Sequence, residues 1–230
     1  MVLACEGCKG YENSVFRCLT LEERKQLTIG FKQKNIPKGT IIFEEGTYPE
    51  GLVCLAKGKA KVFKCGINGK AQILRMAKPV GFIGYRALFA EEEHTSTAIT
   101  IEDSTICIFE RESLYHVMRA NPNLSMNIIK AFATELEFSM NRTVTLTQKH
   151  IRGRLAESII FLQDTYGIDN KTRFLNAKLT REDLANLSSM TTSNAIRTLQ
   201  NFAHEGIIEI EGRQIRIVNH PELERICKIG

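Results

Sequence analysis

Two sets of side chains in this sequence have the types and spacing that do chemistry. The first is thiol. Cys5 and Cys8 have two residues between them, a separation at which one metal ion or cluster can take both sulfurs, and Cys18 follows nine residues further on. The second is a short polar run, Thr192-Ser193, with Arg197 one helical turn later. Small hydroxyls let a helix approach a duplex closely, and an arginine one turn on can place its fork on guanine O6 and N7. Arg181, Asn194, Arg213 and Arg216 suit phosphate contacts around that run, with Thr180 and Thr191 at the helix starts. An enzymatic site is hard to assemble from the remainder. The five histidines (His94, His116, His150, His204 and His220) are scattered, and no nucleophile elbow, carboxylate pair or Gly-rich nucleotide loop stands out. A cupin-like metal-dependent barrel is the enzyme alternative, and it lacks the clustered His and Glu ligands it needs.

The elements that must hold these groups follow from periodicity. Thr180 before Arg181-Glu182-Asp183 reads as a helix N-cap with Asp at the third position, a variant of the capping box. Ser188-Ser189-Met190 breaks that helix, and Thr191 caps a second one running to about His204, with Ala195, Ile196, Leu199 and Phe202 as its buried stripe. Two short helices joined by about three residues are the helix-turn-helix layout. The alternating run Gly206 to Val218, turning at Glu211-Gly212-Arg213, adds a hairpin wing.

Upstream the texture is different. From Phe31 to Phe109, brief β-branched runs separated by Gly, Pro and Asn predict an α+β chain that opens with an antiparallel barrel or jelly roll. Strands are expected at Thr40–Phe43, Leu52–Leu55, Lys61–Phe63, Gln72–Leu74, Thr97–Ile101 and Thr105–Phe109. Asn68-Gly69 signals a two-residue hairpin loop, since both positions need positive φ. Leu21 to Gly30 reads as a short helix. Pro122 to His150 contains no further Gly or Pro and predicts one rod of about 43 Å. Ile129, Phe132, Leu136, Met140 and Thr143 form a coiled-coil-like seam along it, and Ile128, Ala131 and Phe138 a second apolar face. Two faces suggest one for the chain's own barrel and one for a second copy, so a homodimer is expected. A single broad core face is the other reading. The expected domains are a Cys-bearing arm at 1–20, a sensor barrel at 21–121, a dimerisation helix at 122–150 and a winged helix-turn-helix at 151–230.

Composition sets outer bounds. A 230-residue chain with 43% hydrophobic and 25% charged residues is ordinary for a globular protein. There is neither an apolar run long enough for a membrane span nor a secretory h-region at the start. The cytoplasm is the expected compartment. Seven cysteines, an odd count, do not suggest a disulfide framework there. The formal charge of +5 permits phosphate binding without demanding it.

These features together resemble the CRP/FNR family of bacterial regulators. Ile36 to Gly46 and Leu55 to Val62 look like the opening of a cyclic-nucleotide-binding-type barrel, Gly81-Phe82-Ile83-Gly84 with Leu88-Phe89 its phosphate-cassette region, and Leu179 to Ile217 its winged helix-turn-helix. The resemblance implies a homodimer on double-stranded DNA, with RNA polymerase as a further partner and half-sites about 34 Å apart. It makes Gly84, Tyr85, Arg86, Thr95 and Ser96 the effector-pocket candidates. Cyclic-AMP binders of the family carry Glu where this chain has Tyr85 and Arg-Ser where it has Thr95-Ser96, so a buried cyclic phosphate would lack its charge partner. Cyclic AMP is therefore not the expected effector, although Arg86 offers a partial substitute. The recognition helix departs as well: of the common Arg-Glu…Arg pattern, only Arg197 remains. FNR-type members hold a [4Fe–4S] cluster on N-terminal cysteines and one distant barrel cysteine, and Cys107 falls at the distant position. Cys5, Cys8, Cys18 and Cys107 are thus candidate ligands of a cluster or other redox-active metal. The competing reading makes them inert or zinc-binding thiols. Cys54, Cys65 and Cys227 read as structural.

Overall fold

The computed structural model describes residues 14–229, which divide into two compact units: 14–64 with 74–137, and 65–73 with 138–229. The first contains two four-stranded antiparallel sheets. One has the order β1 (Lys32–Ile36), β8 (Ser104–Glu110), β3 (Gly51–Lys57), β6 (Gly81–Ile83), and the other β2 (Ile41–Phe43), β7 (Thr97–Thr100), β4 (Ala60–Cys65), β5 (Ala71–Ala77). This is the expected jelly roll.

Successive side chains on a strand point to opposite faces, and the core uses both faces of β3 and β8. Val53, Leu55, Ile106 and Ile108 pack with Val62 and Ala98 of the second sheet. Leu52, Cys54, Cys107 and Phe109 pack instead under helices, with Leu114 and Val117 of α3 (Arg111–Ala120) and Leu124 and Ile128 of α4 (Pro122–Gln148). Phe16 joins this second layer, its ring 5.5 Å from Phe82 and 5.0 Å from Phe109. Within the expected Cys-bearing arm, Phe16 and Leu19 are buried in this core. A capping box of Thr20 and Glu23 then starts α1 (Leu21–Leu27).

Two strands escaped the sequence reading. β1 is polar and mostly exposed, an edge strand whose lysines are a common way to blunt a sheet edge. β6 is three residues long. The hairpin between β4 and β5 also differs. Asn68 and Gly69 do take positive φ (68° and 71°), but the Gly66 N–H donates to the Lys70 carbonyl, so the loop has three residues, Ile67–Gly69. After α2 (Tyr85–Ala90), α3 and α4, the second unit continues with α5 (Ile151–Tyr166), α6 (Arg181–Leu187), α7 (Thr192–His204), the hairpin β9 (Ile208–Glu211) and β10 (Gln214–Ile217), and α8 (His220–Ile229). The last helix, not anticipated, packs on α5 through Leu223 and Ile226.

Candidate nucleic-acid interface

The helix-turn-helix is set by its caps. Thr180 and Asp183 form a reciprocal capping box at the start of α6, and the Thr191 hydroxyl accepts from the Asn194 N–H, 3.2 Å away, at the start of α7. Ser189 between them has φ +51°, a left-handed turn conformation that most residues avoid. Ala195, Thr198, Leu199 and Phe202 bury the rear of α7, leaving Thr192, Ser193, Ile196, Arg197 and Gln200 exposed. The Asn194 side chain accepts from Arg197 Nη2 at 2.9 Å, which orients the guanidinium along the helix surface.

Ile196 was expected in the buried stripe and is 39% exposed. Its neighbours Ala195 and Leu199 fill the core side, and at 100° per residue Ile196 turns away from them.

The arginines around α7 are not alike. Arg213 is exposed at the wing tip. Arg181, expected on phosphate, donates through Nη2 to the Gly212 carbonyl at 2.6 Å and ties the start of α6 to the wing turn; burial lowers its pKa. Arg216 pairs with Glu209 across the hairpin, Nε to Oε2 2.9 Å, and lies 5.2 Å from the Phe174 ring centre. Both therefore act first as wing struts. A buried arginine that the sequence reading missed, Arg142 of α4, donates to the Leu187 carbonyl at the C-terminal end of α6, where the helix dipole favours a cation. At 8% exposure, burial lowers its pKa while the charge of Glu157 opposes that shift.

On α4, Ile129, Leu136 and Met140 of the expected seam are exposed (Leu136 at 62%), joined by Met126 and Val144, while Thr143 donates its hydroxyl back to the Ser139 carbonyl. Phe132 does not lie with them. Its ring stacks on Tyr85 at 4.6 Å and meets Phe89 edge-on at 5.4 Å, so it serves the chain's own barrel. Ile128 is buried in that barrel, and Phe138 packs on Phe161 of α5.

The cassette region is tightly packed at Gly84. Gly84 has φ +72°, and a Cβ there would come within 2.7 Å of His94 Cε1 and 2.9 Å of Phe43 Cε1. Those two rings stack at 3.9 Å beside it. Burial, with help from the Arg86 charge, lowers the His94 pKa. Arg86 itself is held by Glu92 (2.9 Å) and the Glu93 carbonyl, and Thr95 is exposed. Burial also raises the Tyr85 pKa, beneath an Arg75 guanidinium that pairs with Glu135 at 3.1 Å and donates to the Phe82 carbonyl at 2.6 Å. Arg86 and Arg75 thus each have a carboxylate partner within the chain.

Of the four candidate thiolates, Cys5 and Cys8 lie outside the described residues. Cys18 is half-buried, donates to the Val15 carbonyl and packs against the same layer that contains Cys107. Cys107 is fully buried on β8, directly across the ladder from Cys54. Among the described residues no three His, Cys, Asp or Glu side chains form a metal-binding group. None of their helices is long and apolar enough to cross a membrane.

A β-jelly roll, a long helix and a winged helix-turn-helix in one chain define a DNA-binding transcription regulator. Comparison with known proteins agrees. Residues 33–121 match the cyclic nucleotide-binding domain model and residues 153–226 the Crp-like helix-turn-helix domain model. The chain is 26% identical over 226 residues to a CRP-like cAMP-activated global transcriptional regulator of Mycobacterium tuberculosis, covering 97% of each. It is 25% identical over 228 residues to the fumarate and nitrate reduction regulatory protein of Vibrio cholerae, covering 98% of this chain and 91% of that one. Among solved structures it shares the fold of FixK2 from Bradyrhizobium japonicum, with TM-score 0.77 and 20% identity over 85% of this chain and 96% of that one. The chain belongs to the CRP/FNR family of transcription regulators.

Proposed function

We propose that this regulator works as a cytoplasmic homodimer, zipped along α4, that inserts two copies of α7 into successive major grooves and answers to a signal other than a cyclic nucleotide. The observation that carries the reading is the division of α7 into a buried rear and an exposed front bearing Thr192, Ser193 and Arg197. In this arrangement Arg197 reads a guanine, Arg213 meets phosphate, and RNA polymerase is the partner downstream. The dimer is supported by Met126, Ile129, Leu136, Met140 and Val144, which recur every three to seven residues on exposed surface of one helix. The exclusion of cyclic nucleotides is supported by the Phe43–His94 stack at Gly84 and by an Arg86 already engaged with Glu92.

Sedimentation tests the dimer. The wild-type chain should run as a dimer, and Leu136→Glu, which sets like charges across the seam, should run as a monomer and bind duplex at least tenfold more weakly. A monomeric wild type that still binds DNA tightly contradicts the zipper. Calorimetry with cyclic AMP and cyclic GMP should give no binding heat; saturable heat would reinstate a nucleotide effector.

A thiol-based signal is the second reading, favoured by Cys18 and Cys107 meeting one apolar layer. Cys5 and Cys8 would complete the four thiolates that a [4Fe–4S] cluster requires. Protein purified without oxygen should then be coloured and contain iron and sulfide. A colourless, iron-free preparation leaves the thiols inert or zinc-bound.

A further inference from the structure

Ile196 is out of place for folding and well placed for recognition. It is exposed on α7, centred among the polar side chains at i−4, i−3, i+1 and i+4: Thr192, Ser193, Arg197 and Gln200. It is not among the buried residues of the helix, Ala195, Thr198, Leu199 and Phe202. Helix propensity does not ask for it either, because a β-branched residue is worse than alanine at an exposed helical position. On the proposed reading of α7 this side chain faces the groove, where an apolar counterpart can cover it. The major groove offers one on its base edges, the C5-methyl group of thymine.

Resting on the proposed reading of α7, we infer that Ile196 is a specificity-determining residue that selects a thymine by packing on its 5-methyl group, beside the guanine taken by Arg197. Cytosine, which carries hydrogen at that carbon, is discriminated against. Its 5-methylated form presents the same methyl and recovers that part of the contact. Ile196 thus reads a feature that hydrogen bonding cannot, because uracil and thymine offer identical donors and acceptors.

The test uses the full-length chain and duplexes enriched by it from a random-sequence pool. Each thymine of the enriched half-site is replaced in turn by deoxyuridine, which removes one methyl and nothing else. One thymine position should weaken binding by about fourfold per half-site, the equivalent of one buried methyl group. Ile196→Ala should bind the thymine and uracil duplexes equally, and Ile196→Val should keep most of the preference. The inference is overturned if the wild type is indifferent to every thymine-to-uracil change, or if Ile196→Ala retains the discrimination. A wild type that enriches no sequence, or one whose enrichment survives Arg197→Ala, takes down the reading of α7 itself. Thymine indifference alone leaves that reading standing.

Discussion

The cassette of the barrel and the recognition helix with its wing differ in where their arginines are engaged. Around the cassette of the barrel, Arg86 is closed onto Glu92 and the Glu93 carbonyl, and Arg75 onto Glu135 and the Phe82 carbonyl. In the DNA-binding unit, Arg181 and Arg216 are spent on the wing, while Arg197 and Arg213 remain on exposed surface. A guanidinium paired with a carboxylate is already partly neutralised, and one without such a partner is available to a polyanion. The recognition helix keeps one arginine of the family's pattern, Arg197, on its exposed face. At the cassette, Arg86 and Arg75 each pair with a carboxylate of the chain itself, Glu92 and Glu135.

That contrast can be sharpened by substitutions graded in effect. Phe16→Ala should cost about 3–5 kcal/mol of barrel stability in chemical denaturation, as for other buried aromatics, and leave the unfolding of the DNA-binding unit (the head) unchanged. A small effect would mean that Phe16 is not part of the barrel core. Arg142→Met should destabilise the head by about 1.5–3 kcal/mol, because it leaves the Leu187 carbonyl without its charged donor. Unfolding of the head at the wild-type midpoint would show that α6 is not anchored through α4.

His94 gives a pH-dependent test. Its folded pKa lies below the ordinary histidine value, so the unfolded chain binds the proton more readily. Stability of the barrel should be full above the unfolded pKa of about 6.5 and fall as pH drops from there toward the depressed folded value. His94→Phe, which preserves the stack on Phe43, should flatten that slope in a pH series of melts. The smallest effect is expected at the turn of the helix-turn-helix. Ser189→Gly relieves a left-handed φ and should raise head stability by about 0.5–1 kcal/mol.

What could be read from the sequence follows the same division. The head was legible because its signals are local: Thr180 with Asp183, Thr191 before an amphipathic run, Gly212 in the wing turn. β3 and β8 were legible because strands buried on both faces carry unbroken apolar runs, here 52–56 and 106–109. β1 was not, since an exposed edge strand of Lys, Gln and Asn resembles a loop until its partner is known. Ile196 and Phe132 were misassigned for a common reason. An apolar residue at helical spacing announces a face, but only the neighbouring elements decide which face is covered, and for Phe132 the cover came from Tyr85 and Phe89. Arg142 carried no local signal, because its partner is 45 residues away in sequence.

The most direct measurement is duplex affinity as a function of salt for the wild type and Arg197→Ala, on a sequence enriched by the wild type. With Arg197 on a guanine in each half-site, the substitution should lower affinity by about 1–3 kcal/mol per half-site and flatten the preference at that base pair, while binding of both proteins weakens steeply as salt rises. Equal affinity of the two proteins with the preference intact would mean that α7 does not do the reading.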